Sequence, residues 1–221
     1  KGIGMSALGY DGTNPELWEL LYAKFSGGLP PTSPTDLYIK NIGGGEIQLD
    51  FNGASGADEF IVLRDYLEIE NDSDTLGIFS ENPIIMSGLN ENETYFLTIV
   101  AKNIFGNSEP TEMLGVVPTD KPISCLIVNG FDRMAGTNNT FDFIRQHGSA
   151  LHIAGYSFDS ASNEAVINGN ILLTDYDYVG WILGEEGTST SAFTGTEQTL
   201  VKSFLGYTFT SLGNFPFNCF S

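Results

Sequence analysis

The feature that most constrains this chain is the spacing of its apolar residues between two proline-containing linkers. Between the linkers at 27–35 and 116–122, apolar side chains recur at every second position, as in EIQLDF, where Ile47, Leu49 and Phe51 share one face. Clusters of Gly, Asn, Asp and Ser separate such runs at intervals typical of β sandwiches. This segment is therefore predicted to fold as an all-β, immunoglobulin-like sandwich.

The segment after the second linker has a different pattern. ISCLIVNG is a continuous apolar run, typical of a strand that is covered on both faces. Helical periodicity follows in TFDFIRQHGSALHIAGY and in TEQTLVKSFLG, while YSFDSAS, DYDYVGWILGEEG and YTFTSLG have shorter strand patterns. Strands that alternate with helices predict a three-layer α/β module with a mostly parallel sheet.

We therefore expect a multidomain chain. A helix and linker over 1–32 form the tail of an upstream unit, a sandwich follows over 33–119, and a flavodoxin- or Rossmann-like α/β module, incomplete at its end, covers 120–221. The chain opens at Lys1, which fits a processing site, an expression boundary or the cut end of a longer gene product. We favour the last of these.

The chain is strongly acidic, with a net charge of −19, and 16 of its 28 acidic residues lie in 35–120. Such a surface repels nucleic acid and anionic membranes, and no apolar run is long enough for membrane insertion. We expect no cofactor beyond weakly held calcium. EIENDSD at 68–74 resembles half a calcium loop but lacks the turn glycine and the closing glutamate, and a solvated acidic face explains the same residues.

Two further residue pairs carry side chains that can bind metal or form a disulfide. His147 and His152 are five residues apart on a predicted helix and do not share a face, so we predict no metal site there. Cys125 lies in an apolar strand, where a thiol packs as a small hydrophobe, and a disulfide with Cys219 is the open alternative.

One stretch of the predicted sandwich has the features of a known family. GLNENETYFLTIVAKNIFGNSEPT resembles the closing half of a fibronectin type III domain: Leu89 and Tyr95 match its tyrosine corner, and Asn103, Gly106 and Ser108 match its last hairpin. Phe51 stands where this family usually has tryptophan, which keeps an aromatic residue in the core. The resemblance covers about residues 33–119 and implies a seven-strand sandwich.

Polar side chains follow the predicted strands of the α/β module. Ligands of open α/β sheets bind beyond the carboxyl ends of the strands, where we expect these side chains to converge on one acidic rim. The catalytic candidates are Asp132, Glu164 and Glu185, and the ligand-binding candidates are Asn129, Arg133, Ser160, Asn163 and Glu186. The alternative is that they are ordinary turn and cap residues at exposed strand ends.

Four long segments after residue 122 resemble a second family. LIVNGFDRMAG, TFDFIRQHGSALHIAGYSFDSASNEAV, DYDYVGWILGEEGT and FTGTEQTLVKSFL are similar to the α/β module that follows a fibronectin type III domain in secreted Bacteroidetes proteins, described as N-acetylmuramoyl-L-alanine amidase-like, xanthan lyase or golvesin-type. The opening GMSALGYDGTNPELWELLYAKFSGG is similar to the segment that joins an upstream hydrolase-like unit to the sandwich in such proteins. The resemblance implies that the zinc-binding catalytic unit lies before Lys1. The final GYTFTSLGNFPFNCFS departs from the family pattern.

From these patterns we expect an accessory or ligand-binding region of a secreted or cell-envelope bacterial protein. Its expected partners are glycan or peptidoglycan and the neighbouring domains of the same protein, which acts as an amidase-like hydrolase or a lyase on cell wall or polysaccharide. One alternative is a hydrolase-like enzyme that uses the acidic rim. Another is a structural or adhesive spacer.

Overall fold

A computed structural model describes residues 18, 19, 21, 25, 27–64, 75–91, 93–130, 143–183 and 192–206. The strands in these ranges are β1 (Pro34–Gly43), β2 (Glu46–Gly53), β3 (Glu59–Arg64), β4 (Thr75–Phe79), β5 (Ile84–Met86), β6 (Tyr95–Asn103), β7 (Gly106–Asn107), β8 (Leu114–Val116), β9 (Cys125–Asn129), β10 (Asp159–Ser162) and β11 (Tyr178–Ile182). The helices are α1 (Phe143–Ile153), α2 (Asn163–Ile167) and α3 (Gly195–Phe204), with a 3-10 turn at Leu173–Asp175. Within the described ranges, none of the helices has the length and apolar character needed to cross a bilayer.

Strands β1 to β8 form an immunoglobulin-like sandwich of two antiparallel layers. One layer contains β1, β2 and β5, and the other contains β3, β4, β6 and β7, with β8 paired to β6. Alternate residues of each strand point inward because side chains in a strand have a period of two. The core between the layers includes Leu37, Ile39, Ile47, Leu49, Phe51, Val62, Leu97, Ile99 and Leu114. The predicted β sandwich is confirmed.

The two aromatic residues singled out in the sequence occupy the expected positions in the sandwich. The Tyr95 hydroxyl accepts a hydrogen bond from the Asn90 backbone N–H at 2.9 Å and donates one to Glu93 Oε2 at 3.0 Å, which is the geometry of a tyrosine corner. Phe51 is buried and meets Phe60 edge-to-face with ring centroids 4.8 Å apart. Phenylalanine therefore fills the core position of the expected tryptophan.

The three strands after the second linker lie side by side and parallel, as predicted. The first of them, β9, is central, with β10 on one side and β11 on the other. Leu126 and Val128 of β9 contact a cluster that includes α2, while Cys125 and Ile127 contact a cluster that includes α1. Successive residues of a strand point to opposite faces, so both faces of β9 are covered, as its continuous apolar sequence requires.

The sandwich and the parallel strands share one sheet. Strand β10 pairs antiparallel with β1, with Tyr38 opposite Ala161 and Ile39 opposite Ser160. The result is a mixed six-stranded sheet in the order β11-β9-β10-β1-β2-β5. The sequence patterns had indicated two separate units joined by a linker. Instead, β10 covers the edge of β1 that an isolated sandwich would expose to solvent.

A second core lies between the sandwich and the parallel strands. Phe158, which is fully buried, is packed in it with side chains from both parts of the chain. Phe96, Met113 and Val117 come from the sandwich side, and the cluster is completed by Cys125, Ile127, Ile144 and Ile182. We call these buried residues the joint core.

Two glycines allow the close packing of the joint core. A Cβ on Gly148 of α1 would lie 2.8 Å from Phe158 Cζ, and a Cβ on Gly115 of β8 would lie 3.0 Å from the Phe96 ring and 3.2 Å from Phe158. Side chains at these positions would push the two aromatic rings apart. Helix α1 therefore approaches the sandwich more closely than a helix with alanine at position 148 could.

Both linkers are held by hydrogen bonds, the first to the sandwich and the second to the chain before β10. Asn103 Nδ2 donates to the Leu29 carbonyl at 2.9 Å, and the Thr32 backbone N–H donates to the Ser55 carbonyl at 3.2 Å. In the second linker, the Val117 backbone N–H donates to the Phe158 carbonyl at 3.4 Å. The predicted extended conformation of the first linker is thus held by hydrogen bonds, and its last two residues already belong to β1.

Several sequence predictions fall outside the described residues. They are most of the helix at 14–25, the half calcium loop at 68–74, the strand at YTFTSLG and the residue Cys219. Cys125 is buried in β9, and the alternative of a disulfide with Cys219 stays a prediction because Cys219 lies outside the described residues.

Candidate functional site at the module junction

The described residues form a cleft of about 430 Å³ where the sandwich meets the parallel strands. The end of β1 forms one wall, and the segments that precede β9 and β11 form the other. Its lining consists of charged residues (Lys40, Asp120, Lys121, Asp175), polar floor residues (Asn41, Asp159, Tyr176), Gly43, and apolar residues (Ile42, Pro122, Ile123). We call this the junction cleft. It lies at the amino ends of the parallel strands, at the opposite edge from the predicted acidic rim.

Asp159 forms the floor of the junction cleft and is only 4% exposed. Its Oδ1 accepts hydrogen bonds from the backbone N–H and the side-chain Nδ2 of Asn41, both at 2.9 Å, and its Oδ2 accepts one from the Tyr176 hydroxyl at 2.8 Å. A buried carboxylate needs such donors to offset its lost hydration. Asp159 thereby links β1, β10 and the segment before β11.

Asn41 extends this network to the second linker. Its side-chain Nδ2 also lies 3.5 Å from the Phe158 carbonyl, and its Oδ1 accepts a hydrogen bond from the Thr119 backbone N–H at 2.8 Å. One amide side chain thus joins β1 to β10 and to the chain that leaves the sandwich. This role of Asn41 was not predictable from the sequence, because asparagine near a glycine-rich turn is an ordinary turn residue.

Burial dominates the titration of this network. It raises the pKa of Asp159 above its ordinary value of 3.8, although the hydrogen bonds from Asn41 and Tyr176 and the charge of Lys40 act in the opposite direction. Burial, followed by the nearby charge of Asp159, strongly raises the pKa of Tyr176. Tyr176 is therefore a neutral hydrogen-bond donor to Asp159.

The raised pKa of Asp159 predicts a pH-dependent stability difference between the wild type and Asp159→Asn. The folded state binds the proton of Asp159 more tightly than the unfolded state, so the contribution of this group is largest below 3.8 and is lost as pH rises through the folded pKa. We expect the stability of the wild type relative to Asp159→Asn, measured by urea unfolding, to fall as the pH rises from 3.8 through the raised folded-state pKa. A relative stability that rises over this range would contradict the prediction.

Ser160, a predicted ligand-binding residue, lies inside β10 and is fully buried. Its hydroxyl accepts a hydrogen bond from the Gly115 backbone N–H at 3.0 Å and donates one to the carbonyl of the same residue. It thus satisfies both backbone groups of an edge-strand residue, as a neighbouring strand would do. The expectation that Ser160 follows the strand is wrong, because β10 begins at Asp159 and ends at Ser162.

Replacing Ser160 with alanine tests this packing role. The change leaves the N–H and C=O of Gly115 buried without the hydroxyl, so we expect the free energy of unfolding to fall by about 2 kcal/mol. The measurement is urea unfolding of Ser160→Ala. Ser203→Ala, an exposed serine in α3, is the matched control and should leave stability unchanged. Equal stabilities of the two variants would show that the hydroxyl is not needed for packing.

The carboxyl ends of the parallel strands do meet at one edge. Asn129 is opposite Ser162 of β10 and Ile182 of β11, and it donates to Glu112 Oε2 at 2.6 Å. Asn163 and Glu164 begin α2 at the same edge, Asn163 buried and Glu164 exposed. The remaining candidates, Asp132, Arg133, Glu185 and Glu186, lie outside the described residues.

A buried glutamate that the sequence analysis did not select also lies at this edge. Glu197 of α3 accepts a hydrogen bond from the Thr194 backbone N–H at 2.6 Å, and the Thr194 hydroxyl accepts one from the Glu197 backbone N–H. This is a capping box. Asn163 Nδ2 also lies 3.4 Å from the Glu197 carboxylate. The sequence signal was TGTE, a Thr-x-x-Glu pattern before a helix.

Across the described parts of the chain, no three His, Cys, Asp or Glu side chains are grouped closely enough to hold a metal ion. The acidic residues of the junction cleft are accompanied by two lysines in its lining. The chemistry that the cleft offers is hydrogen bonding to a polar molecule.

Comparisons with known proteins find similarity only in fold. No protein-family model matches the chain, and no curated protein matches it. A human fibronectin type III domain containing protein 3 domain has 17% identity and a TM-score of 0.35, and the match covers 44% of this chain and 94% of that one. A Bacillus thuringiensis chitinase has 23% identity and a TM-score of 0.33, over 47% of this chain and 17% of the chitinase chain. The Clostridium perfringens spore cortex lytic enzyme has 17% identity and a TM-score of 0.29, over 41% and 29%.

Proposed function

We propose that this chain is a rigid accessory region of a secreted or cell-envelope multidomain protein that acts on polysaccharide or cell wall. The observation that supports the proposal best is the sheet that continues from β1 into β10, together with the joint core. A bound linker on each side of the sandwich adds to the rigidity. Such a unit can hold neighbouring domains at a fixed distance and orientation.

The association with glycan rests on the resemblance of four long segments, in order, to modules of secreted proteins. We further propose that residues from 120 onward form a reduced α/β module, since three parallel strands with helices over both faces are the beginning of a doubly wound sheet. The strand order, with the first strand between the second and the third, agrees with that proposal.

The test is co-sedimentation of the chain with insoluble peptidoglycan and insoluble chitin. We expect saturable retention of the chain on at least one of the two materials. The retention should persist at about 0.5 M salt, because salt at this concentration screens attraction between charges and leaves specific contacts in place. Assays of the same mixtures should detect no release of soluble sugar or peptide. Absence of retention on both materials would overturn the glycan part of the proposal.

A second candidate is a hydrolase-like enzyme at the carboxyl edge of the parallel strands. The pairing of Asn129 with both Ser162 and Ile182 favours it, because the chain segments that follow β9 and β11 leave the sheet from adjacent positions. Catalysis would then depend on Asp132, Glu164 and Glu185. Release of soluble product by the wild type that is lost in Asp132→Asn and Glu185→Gln would favour this candidate over an accessory role.

A further inference from the structure

We propose that the junction cleft binds a short stretch of an uncharged glycan chain, an inference that rests on the proposed function and assigns its binding site. The cleft volume of about 430 Å³ lies within the usual range for ligand sites, about 300–1,000 Å³. Its position where two parts of the fold meet is also typical of such sites.

The chemistry of the cleft walls fits a sugar unit, which has hydroxyl groups around its edge and C–H groups on its faces. Lys40, Lys121 and Asp175 supply donors and acceptors for hydroxyls. Ile42, which is 45% exposed, supplies apolar surface against which C–H groups can pack, as do Pro122 and Ile123. A purely apolar ligand would leave the charged groups unpaired.

The charges of the cleft argue for a ligand without net charge. Two lysines face three aspartates in its lining, so neither sign dominates. An acidic glycan would be repelled by a chain of net charge −19, and a basic ligand would meet Lys40 and Lys121. Uncharged saccharides avoid both costs.

The floor of the cleft is fixed before any ligand binds. Asp159 accepts hydrogen bonds from Asn41, which lies in β1, and from Tyr176, which lies in the segment before β11. Its carboxylate has about four acceptor positions, and donors among the described residues use three of them, which leaves one for a ligand hydroxyl. Preorganised polar groups reduce the entropic cost of binding.

Calorimetric titration with chitotetraose and cellotetraose, both uncharged, tests the inference. The double variant Lys121→Ala/Asp175→Ala removes two exposed groups of the cleft and preserves the net charge. We expect the wild type to bind at least one of the two sugars and the double variant to bind at least about tenfold more weakly, because it lacks two charged hydrogen-bonding groups of the cleft. The matched control is Lys102→Ala/Asp58→Ala, which removes the same charges outside the cleft and should bind as the wild type does.

The possible results separate this inference from the proposed function. Equal binding by the wild type and the cleft variant would overturn the cleft as the site while leaving glycan binding in place. Retention on insoluble glycan without binding of either soluble sugar would likewise overturn the cleft inference alone. If the chain neither stayed on insoluble glycan nor bound a soluble sugar, both the cleft inference and the proposed glycan association would be overturned. Urea unfolding of each variant checks that it folds as the wild type does.

Discussion

Replacing Phe158 with alanine is expected to lower the free energy of unfolding by about 4 kcal/mol, the typical cost of removing a fully buried phenylalanine. Phe158 is 0% exposed and is packed among joint-core residues from the sandwich and from the parallel strands. The cavity would therefore weaken both parts of the chain. Urea unfolding followed by fluorescence and by far-ultraviolet circular dichroism measures the loss.

A matched control lies two residues away. Tyr156 is 51% exposed, so Tyr156→Ala removes an aromatic side chain of similar size without opening a cavity. We expect it to unfold at nearly the wild-type urea concentration. If Phe158→Ala unfolded there too, Phe158 would not be a core residue and the joint core would not exist as described.

Replacing Asp159 with alanine is expected to lower the free energy of unfolding by about 3 kcal/mol at neutral pH. The change leaves the two N–H donors of Asn41 and the hydroxyl of Tyr176 without their acceptor, and each unsatisfied buried group costs about 1–3 kcal/mol. The total loss in the free energy of unfolding stays near the lower end of the summed range, because water in the junction cleft can reach part of the site. Urea unfolding measures this loss as well.

Two further variants separate the role of the hydrogen bonds from that of the charge. Asp159→Asn keeps an oxygen for Asn41, and its amide can donate to the Tyr176 hydroxyl, so we expect a loss of only about 1 kcal/mol. Asp175→Ala removes an exposed carboxylate from the same cleft and should leave stability unchanged. An Asp159→Ala variant as stable as Asp175→Ala would contradict the network.

The sandwich was predictable because its signals are local. The alternation of Ile47, Leu49 and Phe51 marks a strand with one buried face, and the positions of Asn90 and Tyr95 within a few residues of each other define the corner. The strand and the tyrosine corner therefore depend on residues that are close together in the sequence. Strand β9 was predictable for a similar reason, since its continuous apolar run exceeds what a half-buried strand needs.

The joint between the two parts was not predictable from such signals. The pairing of Tyr38 with Ala161 joins residues that are far apart in the chain, and nothing in either strand alone specifies its partner. Ser160 shows the same limitation. Asp159 and Ser160 are residue types typical of exposed turns, and their burial depends on hydrogen bonds from Asn41, Tyr176 and Gly115.

The junction cleft does not lie at the edge of the sheet where ligand sites of α/β folds are usually found. Ligands usually bind at the carboxyl ends of parallel strands, and every candidate residue was therefore predicted to lie there. The junction cleft lies at the other edge because β10 pairs with β1, which brings Lys40 and Ile42 beside Lys121 and Asp175. A fused sheet creates a cleft that neither part would form alone.

Hydrogen–deuterium exchange in increasing urea, read by mass spectrometry, is the most direct test of the claim that the sandwich and the parallel strands are one structural unit. Peptides that cover β1 and peptides that cover β10 should lose their protection at the same urea concentration, because pairing with β10 and the joint core couple their opening. Exchange of the β10 peptides at clearly lower urea, while the β1 peptides stay protected, would show two independent units and contradict the account.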